Sequence, residues 1–167
     1  LVPGDIAYID VTVVLDGWHG DTSRVYVIGD RTTVKSQRLV DVTFEAMWAG
    51  IHAVRPGATL GDVGHAIQKV AEGSRFSVVR NSHPPPELRH FGRRGAPLLL
   101  RPGMFFTIEP MINAGRHEVK ILKDGWTTVT RDREPSAQFE HSVAVTEDGV
   151  EVFTLSPAGL DRPPYAG

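Results

Sequence analysis

Residues 6–28 run IAYIDVTVVLDGWHGDTSRVYVI, and the reading of this stretch decides the architecture. Ile9, Val11, Val13 and Leu15 alternate with Asp10, Thr12 and Val14, which is the period of a strand with one apolar face. Asp16-Gly17 is a two-residue turn signal that closes hairpins, so Trp18 to Ile28 reads as the return strand. With the turn there, Leu15 pairs with Trp18 and Thr12 falls opposite Asp21. Asp10 then shares a face with Asp21 on the diagonal, about 7–8 Å away between backbones. A bulge near Gly20 would move this register by one residue.

Two helices follow. Val40, Phe44, Met47, Trp48, Ile51 and Val54 recur at helical spacing across residues 34–54, and Arg55-Pro56-Gly57 ends the run. Thr59 caps a second helix, with Asp62 completing a shortened capping box. Val63, Ala66, Ile67 and Val70 form its buried stripe as far as Gly73. Residues 76–80 are short and strand-like, while 81–103 are rich in proline and arginine and read as loop. Met104 to Glu109 reads as a strand stopped by Pro110. Strands over 118–122 and 127–131 flank Lys123-Asp124-Gly125, and those over 140–146 and 150–155 flank Asp148-Gly149. Strands, then two helices, then more strands predict an α+β fold, with helices packed on one face of a curved antiparallel sheet.

At 167 residues the chain suits one domain with a real core. A net charge of −2 offers no electrostatic case for nucleic acid or an anionic membrane. No apolar run approaches the roughly 18–20 residues that span a bilayer. There is no cysteine, so a metal would have to be held by oxygen and nitrogen donors. With no signal peptide in view, a cytoplasmic setting is the default. The chain starts at Leu1 and enters a strand almost at once, as a cut inside a longer protein would.

Four acidic residues sit within these strand-like stretches: Asp10, Asp21, Glu109 and Glu140. Asp and Glu are normally depleted there, and a single one usually faces solvent. Glu109 interrupts the apolar run Phe105-Phe106-Thr107-Ile108, and Glu140 sits between Phe139 and Val143-Ala144-Val145. Carboxylates facing inward must be paired, protonated or bound to metal. Two alone could form a general acid and base pair. Four with little balancing charge repel one another unless cations lie among them. Mn²⁺, Fe²⁺, Co²⁺ or Zn²⁺ suit such an oxygen-rich site, and carboxylates can bridge two ions.

The stretches GDIAYIDVTV, DGWHGDTSRVYVIG, RPGATLGDVGHAIQKVAE, FSVVR, RPGMFFTIEPMINAG, KDGWTTVTRDR and SAQFEHSVAVTEDGVEVFTL cover most of the chain. Together they resemble the type I methionine aminopeptidases, which have the pita-bread metallopeptidase fold. The resemblance implies that Asp10, Asp21, Glu109 and Glu140 are ligands of two divalent ions. Asp21 and Glu140 would serve both ions, Asp10 one and Glu109 the other. It also implies that Thr12 and Gln138 orient these ligands, and that Trp126 walls the substrate region. Glu109 would take the proton of the attacking water, and His83 would hold the peptide or stabilise the tetrahedral intermediate.

The chain departs from the family pattern in two places. The family's Gly-His-Gly loop, whose His is a fifth metal ligand, has no counterpart after Arg80, where the sequence is Asn81-Ser82-His83-Pro84-Pro85-Pro86. His83 aligns instead with a second family histidine that contacts substrate; in a rival alignment His83 itself replaces the ligand from a shortened loop. The family's N-terminal part, which carries another substrate-contacting His, precedes the point where this chain begins. Other histidines read as surface or structural: His19, His52, His65, His117, and His141 on the strand face opposite Glu140. The arginines at 89, 93, 94 and 101 read as a solvated loop.

The resulting expectation is one metallopeptidase-like catalytic domain over 1–167, of α+β pita-bread fold and incomplete at its N-terminus. Its family function is metal-dependent removal of N-terminal methionine from nascent proteins and peptides. The alternative is a catalytically inactive binding domain derived from that fold. Partners would be peptide or nascent-chain N-termini, neither nucleic acid nor membrane, with self-association covering the missing half of the pocket.

Overall fold

The computed structural model describes residues 1–80, 92, 94–95 and 98–165. The first hairpin consists of β1 (Ile6–Leu15) and β2 (Trp18–Val27). Asp16 and Gly17 both adopt positive φ, 51° and 84°, the geometry that matches the twist of the flanking strands. Leu15 pairs with Trp18, Thr12 with Asp21 and Asp10 with Ser23. Val13 pairs with Gly20 in the same register, so no bulge interrupts the ladder.

Next come α1 (Val34–Ala53), α2 (Leu60–Gly73) and the short strand β3 (Ser77–Val78). Then follow β4 (Phe105–Ile108), β5 (Met111–Asn113), β6 (Val119–Ile121) and β7 (Thr128–Thr130). The chain closes with β8 (Ser136–Gln138), β9 (Glu140–Val145) and β10 (Val150–Val152). Among the described residues all strand pairings are antiparallel, in agreement with the α+β reading.

Among the described residues the hydrogen bonding of the curved antiparallel layer falls into three sheets. The largest runs β1-β2-β9-β10 with β4 also on β9; β3-β5-β8 form a second sheet and β6-β7 a third. The division falls at Pro110, which cannot donate to a ladder, so β4 ends at Ile108 and the chain resumes as β5 in the next sheet. Strands of three residues such as β5 and β8 are too short to show an alternation, and sequence reading passed over both.

β9 is the organising strand. All six of its residues are buried, and it bonds β2, β4 and β10. His141 on this strand is 3% exposed, bonded through Nδ1 to Thr154 Oγ1 at 2.8 Å and edge-on to Trp48 at 5.8 Å. Burial pulls its pKa down to about 4, so it sits in the core as a neutral ring, which matches its structural reading.

The helices close the core from one side. Thr33 caps α1 by accepting from Ser36 N at 3.0 Å, and Leu39, Val40, Ala46, Met47 and Ile51 form its buried stripe. Thr59 and Asp62 form the expected reciprocal capping box on α2. The hydrogen bond from the Thr59 backbone, then that from its hydroxyl, hold the Asp62 carboxyl below its ordinary pKa. α1 packs on α2 and on β4, β5 and β8, and Phe44 meets Phe139 edge-on at 5.5 Å. Among the described residues no helix is long and apolar enough to cross a membrane.

The two helices come close together at Gly50. A Cβ there would lie 2.8 Å from Ile67 Cγ1 and 3.3 Å from Ile108 Cγ2, and both isoleucines are fully buried and unable to swing away. Alanine would improve helix propensity by about 1 kcal/mol, but overpacking of this kind costs about 1–3 kcal/mol. Gly50→Ala is therefore expected to lose roughly 1 kcal/mol in net stability, read as a lower midpoint in chemical denaturation.

Candidate metal centre

Three strands of the main sheet bring one carboxylate each to a common face. Ser23 on β2 pairs with both Asp10 on β1 and Glu140 on β9, so the two acids flank the same residue. Asp21 lies two residues earlier on β2 and therefore points the same way. One ligand oxygen from each of Asp10, Asp21 and Glu140 lies within 4.8 Å of the others. Glu109 follows the end of β4 and stands beside this trio, where its charge acts on Glu140.

Hydroxyl and amide groups hold these acids. Thr12 donates to Asp21 Oδ1 at 2.7 Å. Glu109 is held at both oxygens, by Thr107 Oγ1 at 3.1 Å and by Gln138 Nε2 at 3.1 Å. Thr107 also hydrogen-bonds Glu140. The backbone of Asp21 is clamped by Ser142, whose Oγ accepts from the Asp21 N–H at 3.0 Å and donates to the Asp21 carbonyl at 2.8 Å. Thr22 donates to the Glu140 carbonyl at 2.9 Å. Thr12 and Gln138 thus each hydrogen-bond one of the acids. Thr107, Thr22 and Ser142 escaped sequence reading, although Thr107 and Ser142 each lie two positions from an acid along a strand, the spacing that shares a face.

The electrostatics are strained. Glu140 is 3% exposed, and its pKa is pushed up to about 8, first by burial and then by the charges of Glu109, Asp21 and Asp10. Asp10 is exposed as a residue, yet partial burial of its carboxyl and then the charge of Asp21 raise its pKa as well. Ion pairs between described residues include Arg24–Asp161, Lys35–Glu134, Arg80–Glu72 and His117–Glu118. An all-oxygen, like-charged, partly buried donor set of this kind fits a divalent cation, which removes the repulsion that protons otherwise relieve.

A cavity of about 480 Å³ opens beside the acids, lined among others by Tyr8, Asp10, Glu109, Asn113, Trp126 and Gln138. Trp126 stands at its wall and remains 80% exposed. Its loop is shaped by Asp124, which accepts from the backbone N–H groups of Trp126 and Thr127. His83, the expected substrate contact or substitute ligand, lies outside the described residues, as do the arginines at 89 and 93.

The raised pKa of Glu140 sets a pH dependence for the metal-free protein. Between the ordinary value of 4.5 and about 8 the folded state binds the proton and the unfolded state does not. The contribution of Glu140 to stability is thus fully present below pH 4.5 and is lost as pH rises to about 8. Glu140→Gln, which cannot ionise, is expected to gain on the wild type in metal-free melting across that window. Parallel melting curves for the two proteins over the same range would refute the assignment.

Residues 1–147 match the model of metallopeptidase family M24. The methionine aminopeptidase of Rickettsia prowazekii (strain Madrid E) is 55% identical over 172 aligned positions, covering 97% of this chain and 66% of the relative. That of Escherichia coli (strain K12) is 45% identical, covering 93% of this chain and 62% of the relative. The crystal structure of methionine aminopeptidase from Rickettsia prowazekii superposes with a TM-score of 0.89 at 54% identity, covering 93% of this chain and 66% of that one. The chain therefore spans about two thirds or less of the length of these relatives. With a family match over most of its length and the pita-bread fold of a solved aminopeptidase, the chain belongs to metallopeptidase family M24.

Proposed function

We propose that residues 1–167 form one catalytic domain for the metal-dependent removal of methionine from the N-termini of peptides and nascent proteins. The observation that carries this reading is the convergence of Asp10, Asp21 and Glu140 within 4.8 Å, with Glu109 held beside them. In this reading two divalent ions, of the Mn, Fe, Co or Zn type, are held by Asp10, Asp21, Glu109 and Glu140. Bound divalent ions lower the pKa of a water toward neutrality and polarise a carbonyl.

The side chains supply the rest. Glu109, fixed at both oxygens by Thr107 and Gln138, receives the proton of the attacking water at its carboxylate. Thr12 orients Asp21. Trp126 offers an apolar wall of the cavity to a methionine side chain. His83 is assigned to the peptide.

One observation favours a second reading, a binding domain without turnover: no Gly-His-Gly loop follows Arg80. Calorimetric titration of the metal-free chain with Mn²⁺ or Co²⁺ separates these readings when paired with a peptide beginning Met-Ala. Saturable binding that vanishes in the Asp21→Asn/Glu140→Gln variant, with slow release of free methionine, is the expected result. Binding without release supports the second reading, and no binding at all overturns both.

A further inference from the structure

The hydroxyl groups around the acids are almost all committed. Thr12 donates to Asp21, Thr107 to Glu109, Thr22 to the Glu140 carbonyl and Ser142 to the Asp21 carbonyl. Ser23 differs from them. It is 2% exposed, and its Oγ is buried with no hydrogen-bond partner.

Its position gives that orphan group a meaning. Ser23 pairs with Asp10 on one side and with Glu140 on the other, so it is the middle residue of a row whose two ends are carboxyl groups. Directly opposed residues on neighbouring strands hold their Cβ atoms about 4.5–5.5 Å apart, which puts both acids within reach of a serine hydroxyl. Asp10 and Glu140 hydrogen-bond each other, and the Ser23 Oγ bonds neither. A cation entering between them requires both acids as anions and breaks that bond. Each then has lone pairs left over from the cation, and the one uncommitted hydroxyl among these groups lies between them.

We infer that Ser23 is a positioning residue for the metal site: its Oγ donates to the Asp10 or Glu140 carboxylate in the metal-loaded protein and idles without metal. This rests on the metal-binding reading above. The opposing explanation is that position 23 simply needs a small side chain to fit between two carboxyl groups.

The two explanations separate in the 167-residue chain through Ser23→Ala and Ser23→Thr. Loss of a group that orients a metal ligand typically weakens metal affinity by roughly 10–100-fold. Ser23→Ala is expected to melt at or above the wild-type temperature without metal, because it deletes an unsatisfied buried hydroxyl. Its Mn²⁺ affinity by calorimetry is expected to fall at least about tenfold, and Ser23→Thr, which keeps the hydroxyl, to recover part of that loss. Wild-type Mn²⁺ affinity in Ser23→Ala would overturn the inference. So would equal losses in both variants, or a lowered metal-free melting temperature in Ser23→Ala, either of which marks a structural role. A wild-type chain that takes up no Mn²⁺ removes the metal reading and this inference together, whereas normal wild-type binding with an unaffected Ser23→Ala removes only the inference.

Discussion

The buried carboxyl group of Glu140 is the constraint on which the rest of this structure turns. A carboxylate in an apolar setting is costly, and here three more acids surround it. A chain gains nothing in stability from such an arrangement, since apolar residues would pack there without repulsion. The surroundings are built to hold the acids in place regardless. β9 is bonded by neighbours on both edges, and its other face is locked by His141, Thr154 and Trp48. The strain of the site is thus set against a rigid, fully buried strand.

Each acid is held by a different device, and together these keep the site from collapsing or splaying. Asp21 is fixed twice, at its backbone by Ser142 and at its side chain by Thr12. Glu109 sits off the end of a strand, where a ladder no longer orients it, and Thr107 and Gln138 replace that orientation. Asp10 has the least support. Its strand lies at the outer edge of the main sheet among the described residues, and Ile9, Val11 and Val13 beside it are exposed.

The helical layer contributes at a distance. The close approach of α1 and α2 at Gly50 and the packing of Phe44 on Phe139 press the sheets into one core. Phe139 lies between β8, which carries Gln138, and β9, which begins at Glu140. Burying that ring therefore anchors the junction where Glu140 and the amide that hydrogen-bonds Glu109 meet. The placing of these two polar groups thus depends on an apolar ring in the core.

Local chemistry made the hairpin legible from sequence alone. Asp16-Gly17 demands positive φ at both positions, and a two-residue turn leaves no freedom in register, so the pairing of Thr12 with Asp21 followed directly. The helices were legible for a similar reason, because their apolar spacing and the Thr59–Asp62 cap act within a few residues. Glu109 and Glu140 were conspicuous as acids inside apolar runs, and the surrounding motifs assigned them a family. Only the tertiary structure decided that β9 lies between β2 and β4, that Pro110 divides the sheets, and that Ser23 stands between two acids without a partner. Those facts depend on residues more than a hundred positions apart meeting across a sheet. Periodicity and turn chemistry report what a few neighbouring residues prefer, whereas strand order is settled by which faces bury each other in the whole chain.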